Sequence, residues 1–283
     1  MNLSFKSRLY ISTFFLFFIL SNLYSNGNNP KKIISLSPAI TESIYLLGAG
    51  DRLIANTIYC TRPEDAKSKE KVGTLLELNI EKIVSLNPDL ILASSLTRPK
   101  ELEKLKKLGF NVIQFLYAKS FDEICNQFIY LGELIGKKEK AQDIIKDTKS
   151  QVQKIKAVTA SLPGKKIFVQ VGVKPLFTVS KDTFINDFIE FSGGINIASD
   201  SKVGIYSREK VIASNPDIII IVLMGIEGDK EKGIWQNYNS INAVKNNDIY
   251  LIDSYEVCSP TPIIFSNTLK KFIKIIHPEI KIK

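Results

Sequence analysis

Cysteine and histidine, the side chains that most often ligate transition metals, are scarce in this 283-residue sequence. The cysteines are Cys60, Cys125 and Cys258, and the one histidine is His277. Thiolates bind soft metal ions, and two thiols form a disulfide in an oxidising compartment. A metal site needs several convergent ligands, so the isolated His277 is predicted to be structural, and no metal site is predicted. Cys125 falls on the apolar side of a predicted helix and is expected in the core.

Motifs of common catalytic sites are not found in the sequence. It has no paired-cysteine motif, no phosphate-binding glycine loop followed by lysine, and no serine-nucleophile motif. The glycine-rich stretches LLGAGD and SGGIN fit helix ends and turns. We therefore predict a protein that is not an enzyme, with no catalytic residue and no covalently bound cofactor.

A second set of candidate residues belongs to a repeated unit. NIEKIVSLNPDLIL at residues 79–92 returns as SREKVIASNPDIII at residues 207–220, with Glu81 aligned to Glu209. An acidic residue in a first helical turn, a proline that ends the helix and a short apolar run predict a helix, a turn and a buried strand. A repeated packing solution is one explanation of the unit, since internal repeats report architecture first.

The elements around this unit also occur in the same order twice. Each half reads strand, helix, variable segment, the repeated unit, helix and strand, which predicts an α/β fold of two similar lobes with mostly parallel sheets. The predicted N-terminal lobe is residues 30–136, the connecting helix residues 137–162 and the C-terminal lobe residues 163–283. One long helix without a Gly/Ser linker is a rigid connection, so the cleft between the lobes is predicted to be largely preformed.

Residues 1–25 have the layout of a secretory signal peptide. Lys6 and Arg8 precede an apolar run over residues 9–20, and no acidic residue interrupts them. The run is short for a membrane span, which needs about 20 apolar residues, although an uncleaved anchor is the alternative. No cysteine precedes Cys60, so lipidation at an N-terminal cysteine is not expected. We predict a periplasmic protein exported by this segment.

The charge distribution bears on partners. The formal net charge is +9, but the lysines are scattered and no basic arm is interleaved with aromatic residues. Nucleic acid is therefore not an expected partner, and a monomer is predicted.

Several motifs together carry a family resemblance. IISLSPAITESIYLLGAGDRLI, NIEKIVSLNPDLILA, SGGINIAS and SREKVIASNPDIIII resemble the periplasmic substrate-binding proteins of ABC importers for cobalamin, haem and ferric siderophores. The likeness is greatest to the cobalamin-binding members and covers nearly all of residues 31–278. The resemblance implies two α/β lobes joined by one long helix. It also implies capture of a metal-containing macrocycle or chelate, which is delivered to the membrane permease.

The resemblance gives the repeated glutamates a role. Glu81 and Glu209 match the acidic residues with which the family docks on arginines of the permease subunits. One acid on each lobe suits a partner with two-fold symmetry, and such charges fix register more than they add affinity. The alternative is that each is a helix-start acid favoured by the helix dipole.

The ligand is expected at the carboxyl ends of the strands, where aromatic residues suit a flat macrocycle. The residues predicted to line this cleft are Ser37, Pro38, Ala39, Tyr59, Cys60, Leu75, Phe177, Tyr206, Asp253, Tyr255 and Cys258. Cys60 and Cys258 are predicted on opposite lobes. They are interpreted as small cleft residues, with a disulfide or a metal-bound thiolate as alternatives.

Departures from the cobalamin-binding pattern leave the ligand open. Leu75 stands where those proteins carry a tryptophan, Val257 stands where an arginine is expected, and Trp235 is the one tryptophan. A corrinoid is the predicted ligand, and haem or a ferric siderophore is the alternative. The competing classes are a receptor ectodomain without transport and a lobed metallo-enzyme component.

Overall fold

Residues 29–223 and 227–280 are described by a computed structural model. The predicted signal peptide lies outside the described residues. Within them the chain builds two five-stranded sheets, one from each half. The predicted α/β class, with two lobes and mostly parallel sheets joined by a long helix, is confirmed.

The N-terminal sheet is entirely parallel, with strand order β3-β2-β1-β4-β5. Its central strands are buried on both faces, which explains their continuous apolar runs. The elements of this half are β1 (Ile33–Ser35), α1 (Pro38–Leu46), β2 (Leu53–Asn56), β3 (Glu70–Lys71), α2 (Ile80–Leu86), β4 (Leu90–Ser94), α3 (Pro99–Lys107) and β5 (Val112–Phe115).

The C-terminal sheet has the order β10-β9-β6-β7, and β8 also pairs with β6. Strand β7 is antiparallel to β6, and the other pairings are parallel. The elements are β6 (Lys165–Gly172), β7 (Phe177–Thr178), α6 (Phe184–Phe191), β8 (Gly194–Asn196), α7 (Arg208–Ser214), β9 (Ile218–Leu223), α8 (Gly228–Gln236), α9 (Asn242–Lys245), β10 (Ile249–Asp253), α10 (Ser254–Cys258) and α11 (Pro262–Ile276).

Two helices connect the halves, α4 (Phe121–Leu134) and the long α5 (Lys138–Thr159). Helix α5 buries an apolar stripe at helical spacing that includes Ala141, Ile145 and Val152, and it packs against α4 and α11. Within the described ranges, no helix has the length and apolar character needed to cross a membrane.

The two halves share one hydrophobic core. A single buried cluster contains Leu92 of the N-terminal sheet and Ile220 of the C-terminal sheet. At the junction the ring of Phe265 stacks between those of Phe121 and Phe188, with centroid distances of 4.5 and 4.3 Å. The lobes are therefore packed against each other as well as joined by a helix, which favours a preformed cleft.

A hydrogen bond reinforces this junction. The carboxylate of Asp187 on α6 accepts the backbone N–H of Phe121 at 2.6 Å, so an acid of the C-terminal half caps α4. Burial raises the pKa of Asp187, and the Phe121 N–H opposes that rise. Because a capping carboxylate offsets unpaired N–H groups at a helix start, this bond fixes α4 relative to α6.

The repeated unit has the same local structure in both lobes. Helices α2 and α7 end at Asn87 and Asn215, which adopt left-handed conformations with φ of 45° and 46°. Asparagine tolerates this conformation better than other non-glycine residues, and the following proline cannot continue the helix. The Asn-Pro pair is thus a helix-ending device, as the sequence predicts.

The aspartate of the unit holds the start of a neighbouring strand. Asp89 accepts the backbone N–H groups of Lys31 and Lys32 at 2.8 and 2.9 Å, just before β1. Asp217 accepts the N–H of Lys166 on β6 at 2.9 Å. The Asn-Pro-Asp triplet therefore has a structural role in each lobe, which accounts for its repetition.

Candidate functional site

Large apolar side chains are exposed at one edge of the molecule. Leu96, Leu116 and Tyr117 follow strands β4 and β5, and Phe177 and Leu223 stand at the corresponding edge of the C-terminal sheet. Scattered exposed apolar residues are normal in soluble proteins, but a group of them at the carboxyl ends of strands marks a binding surface.

A pocket of about 210 Å³ opens between the two lobes at this edge. Drug-sized ligands occupy pockets of about 300–1,000 Å³, so this pocket has room for only part of such a ligand, and the exposed rim offers further contact surface. Its lining comes from α1, the segments after β4 and β5, α4, α6 and the turn before α11. These residues are Ser37, Pro38, Ala39, Ile40, Ser43, Leu75, Ser94, Ser95, Leu96, Phe115, Leu116, Tyr117, Ala118, Ile124, Gln127, Phe128, Leu131, Phe184, Cys258, Ser259, Pro260, Thr261 and Pro262.

None of these lining residues carries a charged side chain. The polar groups are short hydroxyls, such as those of Ser37, Ser94 and Ser259, and the amide of Gln127. The amide nitrogen of Gln127 donates to the carbonyl oxygen of Leu116 at 2.9 Å, which holds the loop after β5 against α4. The pocket is therefore apolar with neutral hydrogen-bonding groups.

Tyr117 and Cys258 meet at the pocket from opposite lobes. Burial raises the pKa of the Tyr117 phenol to about 12, and the nearby Cys258 adds to the rise. Burial likewise raises the pKa of the Cys258 thiol to about 11. Both groups are neutral near pH 7, so Cys258 does not present a thiolate to the pocket. The ring of Tyr117 also contacts that of Phe184, with centroids 5.6 Å apart.

The predicted cleft residues fall into three groups. The first group lines the pocket and consists of Ser37, Pro38, Ala39, Leu75 and Cys258. Tyr59 and Phe177 are exposed outside the pocket, and Asp253 is exposed and accepts the backbone N–H of Tyr255 at 2.6 Å. The third group consists of Cys60, Tyr206 and Tyr255, which are buried or half-buried and do not line the pocket.

Cys60 is a correction to the sequence-based placement in the cleft. It is fully buried in the N-terminal lobe, where the Thr41 hydroxyl donates to its sulfur at 3.2 Å. It forms no disulfide with Cys258, and all three cysteines are free. Short polar side chains surround the sulfur of Cys60. The local sequence does not reveal this environment.

The structure also corrects the predicted placement of Tyr206 in the cleft. Its ring packs against the core residue Phe168, and its hydroxyl donates to the Ile197 carbonyl at 3.1 Å. The Tyr206 side chain therefore packs against the core of the C-terminal lobe and does not line the pocket.

Tyr255 is an inter-lobe contact. The Arg62 guanidinium of the N-terminal lobe lies 4.3 Å from the centroid of the Tyr255 ring. Burial is the main cause that raises the pKa of Tyr255, and the nearby Glu42 adds to it. This cation–π contact closes one side of the space between the lobes.

The remaining chemistry-bearing residues lie elsewhere. Cys125 is buried in the core, as predicted, and burial raises its pKa to about 12. His277 is buried at the end of α11, with Nδ1 3.4 Å from a carboxylate oxygen of Glu279. In the described part of the chain, His, Cys, Asp and Glu form no group of three or more that could hold a metal ion.

Sequence reasoning missed the pocket residues at the carboxyl ends of β4 and β5 and directly after them, including Ser94, Leu96 and Tyr117. The rule that ligands lie at the carboxyl ends of strands applies to these strands as well, and it would have found them. Gln127 and Phe184 reach the pocket from helices, and no local motif indicates that placement.

The two predicted docking acids lie on the same edge as the pocket. A helix that leads into a parallel strand starts at the carboxyl edge of the sheet, so the first turns of α2 and α7 stand at the cleft edge. Glu81 and Glu209 are exposed in those turns, and neither forms an ion pair with a described residue. Hydrogen bonds from its own backbone N–H and from Ser207 lower the pKa of Glu209, and the positive charge of the neighbouring Arg208 makes a smaller contribution in the same direction.

The fold and the cleft define a two-lobed binding protein. The chain belongs to the periplasmic binding protein family, whose sequence profile matches residues 33–256.

Individual relatives agree on the class and differ in ligand. An uncharacterized ABC transporter substrate-binding lipoprotein, YvrC of Bacillus subtilis, is 34% identical over 88% of this chain and 81% of its own. The vitamin B12-binding protein of Vibrio cholerae is 31% identical over 90% of this chain and 92% of its own. A crystal structure of a possible iron-binding (periplasmic solute-binding) protein from Staphylococcus epidermidis superposes with a TM-score of 0.79 at 32% identity, covering 88% and 100% of the two chains.

Proposed function

We propose that this binding protein captures a corrinoid of the cobalamin type in the inter-lobe cleft and delivers it to the membrane permease of an ABC importer. The observation that carries the ligand assignment is the uncharged lining of the pocket. A corrin ring has apolar faces and a periphery of neutral amides, which hydroxyls and backbone groups can bind. Haem carboxylates or an anionic ferric chelate would find no cation among these lining residues, and an unpaired buried charge is costly.

The metal chemistry of the pocket points the same way. A haem-binding pocket supplies an axial ligand such as histidine, thiolate or tyrosinate. His277 lies at the end of α11, outside the pocket, and burial raises the pKa values of Tyr117 and Cys258, so a metal would have to displace a proton from either side chain against that rise. A corrinoid that keeps its own axial groups requires no ligand from the protein.

Delivery requires docking, which we assign to Glu81 and Glu209. Both acids are exposed, are not used in ion pairs with described residues and stand at the cleft edge of separate lobes. Two such charges fix the register on a two-fold symmetric permease whose arginines face them. ATP hydrolysis belongs to the importer, and this protein binds its ligand reversibly without catalysis. We propose that it acts in the periplasm after residues 1–25 are removed.

The test is a calorimetric titration of the purified protein with cyanocobalamin and, separately, with haemin. We expect saturable one-to-one binding of cyanocobalamin with a Kd of about 1 μM or tighter. Haemin should bind more weakly. The isotherms should be the same in oxidising and reducing buffers, because Cys60 and Cys258 are free thiols in separate environments.

The opposite result would change the ligand assignment from a corrinoid to haem. Tight haemin binding with a shifted Soret band, lost in Tyr117→Phe or Cys258→Ser, would make one of these side chains an axial ligand and overturn the corrinoid proposal. Tyr130→Phe is the matched control, because Tyr130 is exposed on α4 and does not line the pocket.

A further inference from the structure

The docking helix of the C-terminal lobe begins with a positive charge directly beside its docking acid. Helix α7 starts at Arg208, and the next residue is Glu209. Close opposite charges attract, so an unrestrained Arg208 side chain would compete with any cation that a partner brings to Glu209. The question is what holds the guanidinium away.

Arg208 is turned inward and neutralised by Glu231 of α8, with which it forms an ion pair. Its guanidinium carbon lies 4.5 Å from the centroid of the Trp235 ring. The Glu231 side chain is only 3% exposed, whereas that of Arg208 is 21% exposed. The pair is therefore nearly desolvated at its acidic end and stacked on an indole.

Two further side chains complete this cluster, which we name the Arg208 network: Gln170, Arg208, Glu231 and Trp235. The amide nitrogen of Gln170 donates to Glu231 at 2.8 Å, and the indole N–H of Trp235 donates to the amide oxygen of Gln170 at 2.7 Å. Gln170 and Trp235 are completely buried. Because each bond constrains the next, Glu231 has a fixed orientation from which to hold Arg208.

Stability alone does not account for this arrangement. A buried ion pair is often no better for stability than apolar residues of the same volume. The repeat supplies that comparison inside the molecule, since Ile80 occupies the position of Arg208 in α2 and packs in an apolar cluster. An apolar residue thus starts the same helix without a buried charge.

We propose that Glu231 sequesters Arg208 so that the Glu209 carboxylate remains free for a cation of the permease. Arg208 and Glu231 are then positioning residues, which act on docking through Glu209. This inference rests on the proposed docking role of Glu209 and adds the device that keeps this acid available.

The first test needs no partner. Glu231→Gln keeps the size and the bond from Gln170 but removes the charge that holds Arg208. We expect the Glu209 carboxyl, followed by carbon-13 NMR through a pH titration, to show a lower pKa than in the wild type, because the released Arg208 favours the ionised form. Fluorescence of Trp235, the one tryptophan of the chain, should change as the guanidinium leaves its ring.

The decisive control is the double variant Arg208→Ile with Glu231→Gln, which installs the residue found at this position in the N-terminal lobe. With no arginine to compete, the Glu209 pKa should return to the wild-type value or above it. In association with the detergent-solubilised permease complex, Glu231→Gln should bind about tenfold more weakly and the double variant should recover. Ligand affinity should be unchanged in both variants.

Four outcomes would overturn the inference. An unchanged Glu209 pKa in Glu231→Gln would show that Arg208 does not reach Glu209. Equal loss of permease association in the single and double variants would assign the network a purely structural role. If Glu209→Gln itself binds the permease normally, the docking proposal fails and takes this inference with it. A defect in Glu209→Gln without one in Glu231→Gln would reject only the inference.

Discussion

Helices α2 and α7 share a backbone design and differ in how they are attached to their lobes. Both have seven residues, an N-terminal cap from a polar side chain and a left-handed asparagine at the end. Helix α2 then packs through apolar residues such as Ile80 and Ile83. Helix α7 also packs through an apolar residue, Val211, but at its first position it has Arg208, which belongs to the buried polar Arg208 network.

The difference separates two kinds of repetition. Residues that determine the backbone, such as the Asn-Pro-Asp triplet, recur because each lobe needs the same helix end and strand start. The buried position of Ile83 and Val211 is apolar in both helices, whereas the first helical position differs, with Ile80 in one lobe and Arg208 in the other. Glu81 and Glu209 belong to neither group, because they are exposed and bond to no other element of the described chain. Docking on a shared partner, as proposed above, would account for their presence in both units.

The largest expected effect comes from reversing both exposed acids. Glu81→Lys with Glu209→Lys places like charges against the permease arginines, and uptake of the ligand should fall about 100-fold. Ligand affinity, measured by calorimetry, should stay within about twofold because neither residue lines the pocket. Normal uptake in this variant would remove the shared function of the two helices and favour a receptor without transport.

The second-largest expected effect concerns the residues through which the two helices are attached to their lobes. Glu231→Leu leaves the Arg208 guanidinium partly buried without its counter-ion, and the free energy of unfolding should fall by about 3 kcal/mol. Arg208→Ile with Glu231→Leu should recover most of this loss, because α7 then begins with a buried apolar residue, as α2 does. Urea denaturation measures both variants. A double variant as unstable as the single one would mean that the C-terminal lobe cannot replace this ion pair with apolar packing.

A smaller, pH-dependent effect is expected at the aspartate of the N-terminal unit, Asp89. Backbone N–H groups of Lys32 and Lys31 lower the pKa of Asp89. Its stabilising effect is therefore fully present above the unfolded-state pKa of about 3.9 and is lost as pH falls through the lower folded-state pKa.

Asp89→Asn should consequently cost about 1 kcal/mol at pH 7, and the difference from the wild type should shrink in strong acid. Thermal unfolding across the pH range measures it. Asp143→Asn, on the exposed face of α5, is the matched control and should show no such trend. A constant difference at all pH values would contradict the charge-assisted origin of the effect.

The smallest expected effect distinguishes the two left-handed asparagines. Glycine adopts positive φ without strain, so Asn87→Gly should change the free energy of unfolding by less than about 0.5 kcal/mol. Asn215→Gly should cost about 1 kcal/mol, because the Asn215 side chain also accepts the backbone N–H of Asn242 at 2.8 Å. Equal effects in chemical denaturation would mean that this additional bond does not stabilise the C-terminal lobe.

Sequence reasoning reached the fold because local signals agree with the global arrangement. The apolar runs at β4 and β9, the helix-ending Asn-Pro pairs and the long periodic segment of α5 each follow from spacing alone. Their repetition in one order then indicated two lobes.

The site was less accessible because burial and cross-lobe contact depend on tertiary structure. Cys60 and Cys258 occupy similar predicted loops, yet one is sealed beneath Thr41 and the other lines the pocket. Tyr255 is an aromatic residue of the kind expected to contact a flat ligand, but its ring contacts the guanidinium of Arg62 in the other lobe. Neither partner is near in sequence, so no local pattern could reveal the pairing.

The shared core at the lobe junction has a consequence for how the importer uses this protein. Because Phe265 stacks between Phe121 and Phe188 across the junction, we expect the spacing of Glu81 and Glu209 to change little when a ligand binds. A permease that docks through these two acids would then not distinguish loaded from empty protein by their spacing, and empty protein would occupy the permease as readily as loaded protein. Transport should slow when unloaded protein is in excess, so the number of copies in the periplasm must be matched to the ligand supply.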